Sequence, residues 1–229
     1  MGCRLILLRH GESLYNRKNI FTGWIDVDLS EKGIKEAKEA GRIMRQNDLF
    51  PDICFTSWLK RAVHTANLAL GEMEWEHIDT LRSWKLNERH YGDWQGRDKD
   101  EVRKEVGEEV FKAVRRGYET SPPALRKDDE RSPFFDPKYR SLDPSLIPLG
   151  ESLKDTRRRV VNYFFEKIAP FLVSEKTVLI TAHGNSLRAL VMYIENISKE
   201  EISKVEIPTA RPILYEFDKE LNPLFRKDF

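Results

Sequence analysis

Short apolar runs alternate with longer amphipathic stretches along the chain, and this alternation predicts an α/β fold. Residues 3–8 and 176–181 predict strands with apolar centres, at 5–8 and 178–180, and successive apolar positions are typical of strands buried on both faces of a sheet. Residues 52–56 predict another short strand, residues 75–78 a weaker one, and residues 212–217 the final strand.

The amphipathic stretches between these strands predict the helices. One helix begins after Ser30, which is suited to the N-cap position. Its expected apolar stripe consists of Ile34, Ala37, Gly41 and Met44. A second helix is expected at about residues 60–70, and a long third one follows Ser152 and Asp155, which have the spacing of a capping box.

Because strands and helices alternate, we expect a mainly parallel central sheet with helices on both faces. One segment departs from this alternation. Residues 97–119 are charged and predict helix, and residues 118–150 are rich in proline and too long for an ordinary connection. We therefore expect a single α/β domain over residues 1–229, with a helical and loop insert at about 97–150 over the active site.

Composition and charge narrow the class of protein further. The formal net charge of +1 over 229 residues predicts neither a nucleic-acid nor a membrane partner. Cys3 and Cys54 lie in apolar, strand-like runs, which indicates buried thiols in a reducing compartment. The apolar run near the N-terminus is too short for a secretory signal, and no stretch reaches membrane-spanning length. We expect a cytoplasmic protein.

Two histidines, His10 and His183, each follow an apolar strand and precede a glycine. A single histidine at a strand end is usually structural, but two favour a shared site, because parallel strands end at the same edge of a sheet. Arg9 adds a guanidinium that can hold two phosphoryl oxygens. The N–H groups of Gly184 and Asn185, at a predicted helix start, would point at the same anion. This pattern predicts capture of a phosphoryl group on His10.

Two further residues could complete this chemistry. Arg61 alone would be interpreted as part of a solvated helix face, but with Arg9 at the same sheet edge it predicts a second phosphate clamp. Phosphoryl transfer from histidine to a hydroxyl needs a group that takes up the hydroxyl proton and returns it. Glu88 is the candidate, although a glutamate next to an arginine is usually an exposed ion pair.

Metal binding is the obvious competing explanation for two histidines and several carboxylates. No His-x-x-x-His spacing occurs, and Arg9 would repel a cation, so we expect no metal. Lys99, Arg115 and Arg116 lie in the charged helical stretch. Taken alone, such a charge run indicates a solvated helix face.

Taken together, these motifs resemble those of the histidine phosphatase superfamily, and within it those of the cofactor-dependent phosphoglycerate mutases. The similar segments are LRHGES at residues 8–13, FTGWID at 21–26, TSWLKRA at 56–62, LNERHYGD at 86–93, ESL at 151–153 and AHGNSLR at 182–188. The resemblance covers nearly the whole chain. The Arg-His-Gly triplet is typical of the whole superfamily, whereas the segment at 86–93 is specific to the mutases.

The resemblance implies an isomerase that interconverts 3-phosphoglycerate and 2-phosphoglycerate in glycolysis and gluconeogenesis. It implies that 2,3-bisphosphoglycerate primes the enzyme by phosphorylating His10, that Glu88 is the proton donor, and that no metal takes part. Arg9, Arg61 and His183 are implied as ligands of the transferred phosphoryl group. The substrate-binding residues Gly184 and Asn185 are implied to belong to the same phosphoryl site. The implied contacts to the substrate's carboxylate and second phosphate are Ser13, Asn16, Thr22, Gly23, Arg89, Tyr91, Lys99, Arg115 and Arg116. Members range from monomers to tetramers, so a homodimer or homotetramer is possible.

Gly23 helps to choose within the family. Sister enzymes that mainly make bisphosphoglycerate usually carry serine there, so glycine favours a mutase. At residues 208–212, a Pro-Thr-Ala-Arg-Pro segment replaces the usual Thr-Gly-apolar-Pro pattern. We therefore expect Ala210 to adopt a backbone conformation that glycine often supplies.

Two alternatives stay open. The sequence ends at Phe229, whereas family members continue with a tail that closes over the pocket, which keeps a phosphomonoester phosphatase of the same superfamily as the runner-up. Simple phosphatases of this kind usually lack the insert with its cations. A catalytically inactive binding protein is disfavoured, because His10, Glu88 and His183 are all present.

Overall fold

The fold is built on one six-stranded sheet. In this computed structural model, which describes residues 3–229, the sheet order is β3-β2-β4-β1-β5-β6. The strands are β1 (Cys3–Arg9), β2 (Ile53–Thr56), β3 (Thr80–Arg82), β4 (Thr177–Ala182), β5 (Pro212–Phe217) and β6 (Pro223–Asp228). The four strands from β3 to β1 pair in parallel, and β5 and β6 add two antiparallel strands at one edge. The mainly parallel sheet is thus confirmed.

Eight α-helices occur in the described part of the chain. They are α1 (Leu14–Arg17), α2 (Glu31–Gln46), α3 (Lys60–Glu72), α4 (Lys99–Val106), α5 (Glu108–Arg116), α6 (Leu153–Tyr163), α7 (Ala169–Val173) and α8 (Gly184–Ile194). A π-helical turn (Phe164–Ile168) joins α6 to α7. No helix of residues 3–229 is long and apolar enough to cross a membrane.

Side chains of β1 alternate between two cores, one on each face of the sheet. Leu5 and Leu7 point into a core built with α6, α7 and α8. Ile6 and Leu8 point into a second core built with α2 and α3. Burial on both faces explains why β1 is apolar at successive positions.

The apolar spacing correctly predicted the helix α2 but not which of its residues are buried. Ser30 accepts a hydrogen bond from the N–H of Gly33, which confirms it as the N-cap. Ile34, however, is exposed, so its place in the buried stripe was wrong. Small residues replace it in the contact with α3: a Cβ on Gly41 would lie 2.4 Å from the carbonyl oxygen of Ala69. The helices approach too closely there for a larger side chain.

Two strand predictions were wrong. Residues 75–78 form no strand, and the strand starts later as β3. Trp75 instead packs with a tilted ring against Phe50, at 4.9 Å between ring centroids, and donates from Nε1 to Pro51 O. Pro212–Phe217 is not the final strand, since β6 follows it at the sheet edge. All residues of β6 are exposed. The strand therefore lacks the alternation of apolar and polar residues that would have predicted a half-buried strand.

The insert divides into two parts with different positions. Its charged stretch forms α4 and α5, interrupted at Gly107, whose φ is +82°. Its proline-rich stretch has three short 3₁₀ turns and packs Tyr139 against Trp24 at 4.9 Å. Only the helical part contributes residues to the lining of the cavity described below.

Candidate active site

A cavity of about 330 Å³ opens at the carboxyl ends of β1 and β4. It is lined by Arg9, His10, Asn16, Ile20, Phe21, Thr22, Gly23, Arg61, Glu88, Tyr91, Lys99, Arg115, Arg116, Gly184, Asn185, Arg188, Glu206 and Ile207. Six of these residues carry positive charge and two are carboxylates, so the cavity suits an anion. We call Arg9, His10, Arg61, Glu88 and His183 the phosphoryl pocket, and Lys99, Arg115 and Arg116 the cationic rim.

His10 is held as a neutral base with one free nitrogen. Its Nδ1 lies 2.7 Å from the carbonyl oxygen of Gly11, which can only accept, so Nδ1 carries the proton and Nε2 keeps its lone pair. Burial, followed by the charges of Arg61 and Arg9, lowers the pKa of His10 well below its usual value. Near neutral pH the imidazole is therefore uncharged, with its one proton on Nδ1, and Nε2 can act as the nucleophile.

The two histidines meet as their strand register predicts. Arg9 at the end of β1 pairs with Ala182 at the end of β4, and the imidazole rings that follow lie 5.1 Å apart between centroids. His183 Nε2 is 2.7 Å from Ser57 Oγ, whereas Nδ1 is buried with no hydrogen-bond partner among the described residues. Burial, with Arg61 and His10, lowers the pKa of His183 well below its usual value.

The two arginines of the phosphoryl pocket are fixed by backbone carbonyls. Arg9 Nη1 donates to Ile207 O at 2.7 Å. Arg61 donates through Nη1 to Ile25 O at 3.1 Å and through Nη2 to Gly23 O at 2.8 Å, and its burial lowers its pKa to about 10. The Nε atom of each arginine is buried without a partner among residues 3–229, which fits an anion bound beside them.

Glu88 enters the pocket with one oxygen fixed and the other less constrained. Its Oε1 accepts from the N–H of Arg89 at 2.8 Å and from that of Asn185 at 3.1 Å. Its Oε2 lies 3.7 Å from where a Cβ on Gly184 would be, and Arg9 Nε lies 3.5 Å from that point. The missing side chain of Gly184 therefore leaves space between a carboxylate and a guanidinium.

The Glu88 contact corrects one expectation. The N–H of Asn185, at the start of α8, donates to Glu88 and is not free for an anion. The Asn185 side chain donates from Nδ2 to Tyr91 Oη at 3.2 Å and accepts from Arg188 at 2.9 Å. Asn185 thus organises the cavity wall, and the α8 N-terminus stabilises the carboxylate of Glu88.

Tyr91 is oriented as a donor toward the cavity. Its hydroxyl oxygen accepts from Arg89 Nη2 at 2.7 Å and from Asn185 Nδ2, which occupies both of its lone pairs. Burial alone would raise the pKa of Tyr91, but the charge of Arg89 lowers it overall. The hydroxyl proton remains available to an acceptor inside the cavity.

The cationic rim brings together the three charges that the sequence alone could not distinguish from a solvated face. Lys99, at the start of α4, and Arg115, near the end of α5, both line the cavity and have no ion pair within residues 3–229. Burial, and then the charge of Arg115, lowers the pKa of Lys99. Arg116 pairs with Glu206.

Two of the expected substrate contacts lie behind the cavity wall. Ser13 is fully buried and caps the short helix that carries Asn16, which does line the cavity. Arg89 is also fully buried, and it donates to the carbonyl oxygens of Val114 and Arg115 as well as to Tyr91. Both hold the residues that face the cavity, so in this structure they act as supports.

Sequence reasoning assigned no role to Arg188, Glu206 or Ile207. Arg188 lies one helical turn after Gly184 on α8, and this spacing is the signal that could have placed it in the cavity. Glu206 and Ile207 precede β5 in an irregular segment, and their position depends on tertiary contacts. No periodic pattern could have revealed these two residues.

The chemistry of the cavity is that of an anion site. Within residues 3–229, no group of three or more histidine, cysteine, aspartate or glutamate side chains could hold a metal ion. Neutral His10 presents a nucleophile, unpartnered guanidinium and imidazole nitrogens surround it, and Glu88 can move a proton nearby. This arrangement can accept a phosphoryl group on nitrogen and pass it to a hydroxyl.

Comparison with known proteins identifies relatives over almost the entire sequence. Residues 5–224 match the family model of the Histidine phosphatase superfamily (branch 1). The chain is 51% identical over 224 residues to a 2,3-bisphosphoglycerate-dependent phosphoglycerate mutase of Treponema denticola, covering 98% of this chain and 91% of the relative. It is 52% identical over 217 residues to the protein of that name from Lachnoclostridium phytofermentans, covering 95% and 87%.

Solved structures share the fold at lower sequence identity. Bacillus stearothermophilus YhfR superposes with a TM-score of 0.71 at 24% identity, over 94% of this chain and 91% of that one. An alpha-ribazole phosphatase from Shigella flexneri gives 0.69 at 21% identity, over 97% and 94%. At these identities the likeness establishes the architecture of the sheet and its helices.

Proposed function

The chain belongs to the histidine phosphatase superfamily, and we propose that within it the protein is a 2,3-bisphosphoglycerate-dependent phosphoglycerate mutase. It is an isomerase that interconverts 3-phosphoglycerate and 2-phosphoglycerate. The observation that carries this proposal is the 51–52% identity to two relatives of that name over nearly the whole chain. The orientation of His10 supplies the nucleophile, since its Nδ1 is held by Gly11 and the basic Nε2 is left to bond phosphorus.

The same cavity would take the primer, because its cations suit a ligand with several negative charges. When bound, 2,3-bisphosphoglycerate supplies the phosphoryl group that charges His10. The unpartnered Nε atoms of Arg9 and Arg61 and the Nδ1 of His183 would hold that group, since each is buried and lacks a hydrogen-bond partner in the described chain. Guanidinium groups held in advance by carbonyl oxygens stabilise developing negative charge without reorganising.

Transfer from His10 to the substrate uses Glu88. A hydroxyl oxygen of the bound monophosphoglycerate attacks phosphorus, the bond from phosphorus to His10 Nε2 breaks, and the hydroxyl proton passes to Glu88. In the return step His10 attacks the other phosphoryl group, and Glu88 gives the proton to the departing oxygen. Oε1 accepts from the N–H groups of Arg89 and Asn185 at 2.8 and 3.1 Å, whereas Oε2 has only a longer contact of 3.4 Å from the N–H of Asn185, so we assign the proton to Oε2.

The cationic rim supports isomerisation over simple hydrolysis. A phosphoglycerate has a carboxylate and a phosphate besides any phosphoryl group at His10, and Lys99 and Arg115 offer unpaired charges for them. Tyr91 offers a hydroxyl donor in the same wall. These contacts would hold the glycerate while it turns between its two orientations. The phosphatase alternative is not favoured, because the relatives at about half identity carry the mutase name.

Compartment and assembly remain part of the proposal. Cys3 and Cys54 are buried free thiols, which suits work in the reducing cytoplasm, where glycolysis and gluconeogenesis would use the reaction. The expected homodimer or homotetramer stays a prediction, and sedimentation of the purified protein would test it.

The reaction itself is tested by incubating the purified protein with 3-phosphoglycerate and a trace of 2,3-bisphosphoglycerate. Phosphorus NMR should show 2-phosphoglycerate accumulating to equilibrium, with inorganic phosphate released far more slowly. Release of phosphate without any 2-phosphoglycerate would instead support the phosphatase alternative. Omitting the bisphosphoglycerate, after His10 has been dephosphorylated, should abolish the isomerisation.

A further inference from the structure

Glu206 is a carboxylate that faces an anion-binding cavity and has no part in the chemistry described above. It lines the cavity together with Arg116, and the two side chains form an ion pair. The other carboxylate of the lining, Glu88, is committed to proton transfer. A second negative charge in a site for anions opposes ligand binding, so its presence calls for a physical explanation.

The charge of Glu206 acts on several cations of the site. It favours the charged forms of Arg9 and Arg115, although burial lowers the pKa of both overall. Its side chain is 70% exposed, whereas that of Arg116 is 32% exposed. The carboxylate therefore lies at the solvent-exposed side of the cavity, and water can solvate it when its ion pair with Arg116 breaks.

Resting on the proposed function, we infer that Glu206 is a specificity-determining residue that competes with the ligand for Arg116. Without a ligand it occupies the guanidinium that an incoming phosphate or carboxylate would bind. A bound phosphoglycerate must displace it, or bind beside it against its repulsion. Glu206 thereby lowers the affinity of the cavity for every anion.

The opposition grows with the charge of the ligand. Each phosphate carries about −1.5 to −2 at pH 7, so the bisphosphoglycerate has roughly five negative charges against about three for a monophosphoglycerate. A fixed carboxylate repels the more highly charged ligand more strongly. Glu206 therefore keeps the bisphosphoglycerate from occupying the site so tightly that the monophosphoglycerates are excluded.

A second explanation makes the opposite prediction. If Glu206 served to hold Arg116 in the geometry that binds substrate, removing its charge would weaken binding. Competition predicts that removal tightens binding. Glu206→Gln keeps the length of the side chain and removes only the charge, so the sign of the change decides between the two roles.

The test compares the wild type with Glu206→Gln and with a matched control, Glu200→Gln. Glu200 is an exposed residue of a nearby segment, outside the cavity lining, and its substitution removes the same charge. Binding of 3-phosphoglycerate to the unphosphorylated proteins is measured by calorimetry without any bisphosphoglycerate, so no turnover is needed. The concentration of 2,3-bisphosphoglycerate for half-maximal activation is measured separately.

For Glu206→Gln we expect the Kd of 3-phosphoglycerate to fall about two- to fivefold, the range of a partly exposed ion pair. The half-activating concentration of the bisphosphoglycerate should fall by a larger factor, and Glu200→Gln should change neither value. Unchanged or weaker binding by Glu206→Gln, or an equal gain in Glu200→Gln, overturns the inference. Failure of the wild type to isomerise 3-phosphoglycerate would contradict the proposed function instead, which the calorimetric comparison does not require.

A second variant guards against an indirect effect. In an Arg116→Gln background the contested guanidinium is gone, so the further change Glu206→Gln should tighten 3-phosphoglycerate binding less than it does in the wild type. An undiminished effect would show that Glu206 does not compete for Arg116. Thermal unfolding of all variants checks that each is folded at the assay temperature.

Discussion

The phosphoryl pocket and the cationic rim face the same cavity but are built in opposite ways. In the pocket, His10, Arg61 and Glu88 are at most 9% exposed, and each is held by at least one backbone group. In the rim, Lys99 and Arg115 have no ion pair in the described chain, and Arg116 has an exposed one. The side chains of the pocket are therefore fixed before a ligand arrives. In the rim, two of the three cations have no ion pair in the described chain, and the third has only an exposed one.

This difference separates chemistry from binding. Groups that stabilise charge in a transition state gain most when they need not reorganise, which explains why backbone contacts hold the pocket. Groups that bind the unreacting end of a substrate must release it and let it turn, so firm internal partners would hinder them. We therefore expect substitutions in the pocket to lower kcat and substitutions in the rim to raise KM.

The largest effect is expected from Glu88→Gln. The amide oxygen can still accept from Arg89 and Asn185, so the fold should be preserved while the proton acceptor is lost. Loss of general acid–base catalysis should lower kcat about 10²- to 10⁴-fold, with KM changed much less. Steady-state kinetics with 3-phosphoglycerate measure both. A kcat within about threefold of wild type would remove Glu88 from the mechanism.

Gly23→Ala tests the link between the two regions, because Gly23 lines the cavity and its carbonyl holds Arg61. Its φ is +52°, and a Cβ there would lie 2.0 Å from Gln95 Oε1. Gly96 is the control, since its φ is +83° and a Cβ there would meet only Ile25 Cδ1, at the ordinary contact distance of 3.5 Å.

We expect Gly96→Ala to cost about 1–2 kcal/mol of unfolding free energy from the positive φ alone. Gly23→Ala should cost at least about 1 kcal/mol more, because Gln95 must give up its hydrogen bond to the N–H of Trp24. Urea unfolding measures both values. Equal costs would mean that Gln95 moves aside freely.

Lys99→Met should raise the KM for 3-phosphoglycerate about tenfold or more, since a charge-assisted hydrogen bond contributes about 1.5–3 kcal/mol. The kcat should fall far less, because Lys99 lies in the rim. Lys104→Met is the control, as Lys104 is an exposed lysine of the same helix α4. A loss confined to kcat would place Lys99 in the chemical step and erase the contrast between the regions.

The smallest effect is a dependence of stability on pH that comes from buried imidazoles. Burial, followed by Arg159 and Arg131, lowers the pKa of His90 to about 3, and His10 and His183 are also lowered. In the unfolded chain each of these imidazoles has a pKa of about 6.5. Below that pH the unfolded state therefore binds more protons than the folded state. Stability is therefore complete above about pH 6.5 and falls as the pH decreases.

Each such histidine contributes up to about 1.4 kcal/mol per pH unit to this loss. His90→Gln should remove the contribution of one histidine to the slope of unfolding free energy against pH. The amide oxygen of glutamine can still accept the hydrogen bond from the N–H of Gly92. Urea unfolding at several pH values between about 6.5 and 5 measures the slope. Identical slopes in wild type and variant would show that His90 becomes protonated without unfolding.

The same contrast explains what the sequence could predict. The phosphoryl pocket follows from local order, because β1 and β4 deliver Arg9, His10 and His183 to one edge of a parallel sheet. The rim residues were indistinguishable from a solvated helix face until the family resemblance singled them out. Only the structure shows that α4 and α5 turn Lys99 and Arg115 toward the cavity.

Other features depend on contacts between segments far apart in the sequence. The N–H of Asn185 was expected to face an anion, but Glu88, 97 positions away, accepts from it. Glu206 reaches Arg116 across 90 positions, and no local pattern encodes that pairing. By contrast, Ala210 was expected to adopt a backbone conformation that glycine often supplies, and its φ of +48° confirms this. That prediction needed only the position of Ala210 in the family's sequence pattern.

The central claim is that His10, and not its neighbour His183, carries the phosphoryl group. Brief exposure to 2,3-bisphosphoglycerate labelled in its phosphoryl groups, followed by denaturation, tests this directly. Wild type should retain an acid-labile, base-stable label, and His183→Gln should still take up the label, although more slowly. His10→Gln should take up none. An equally labelled His10→Gln protein would contradict the account.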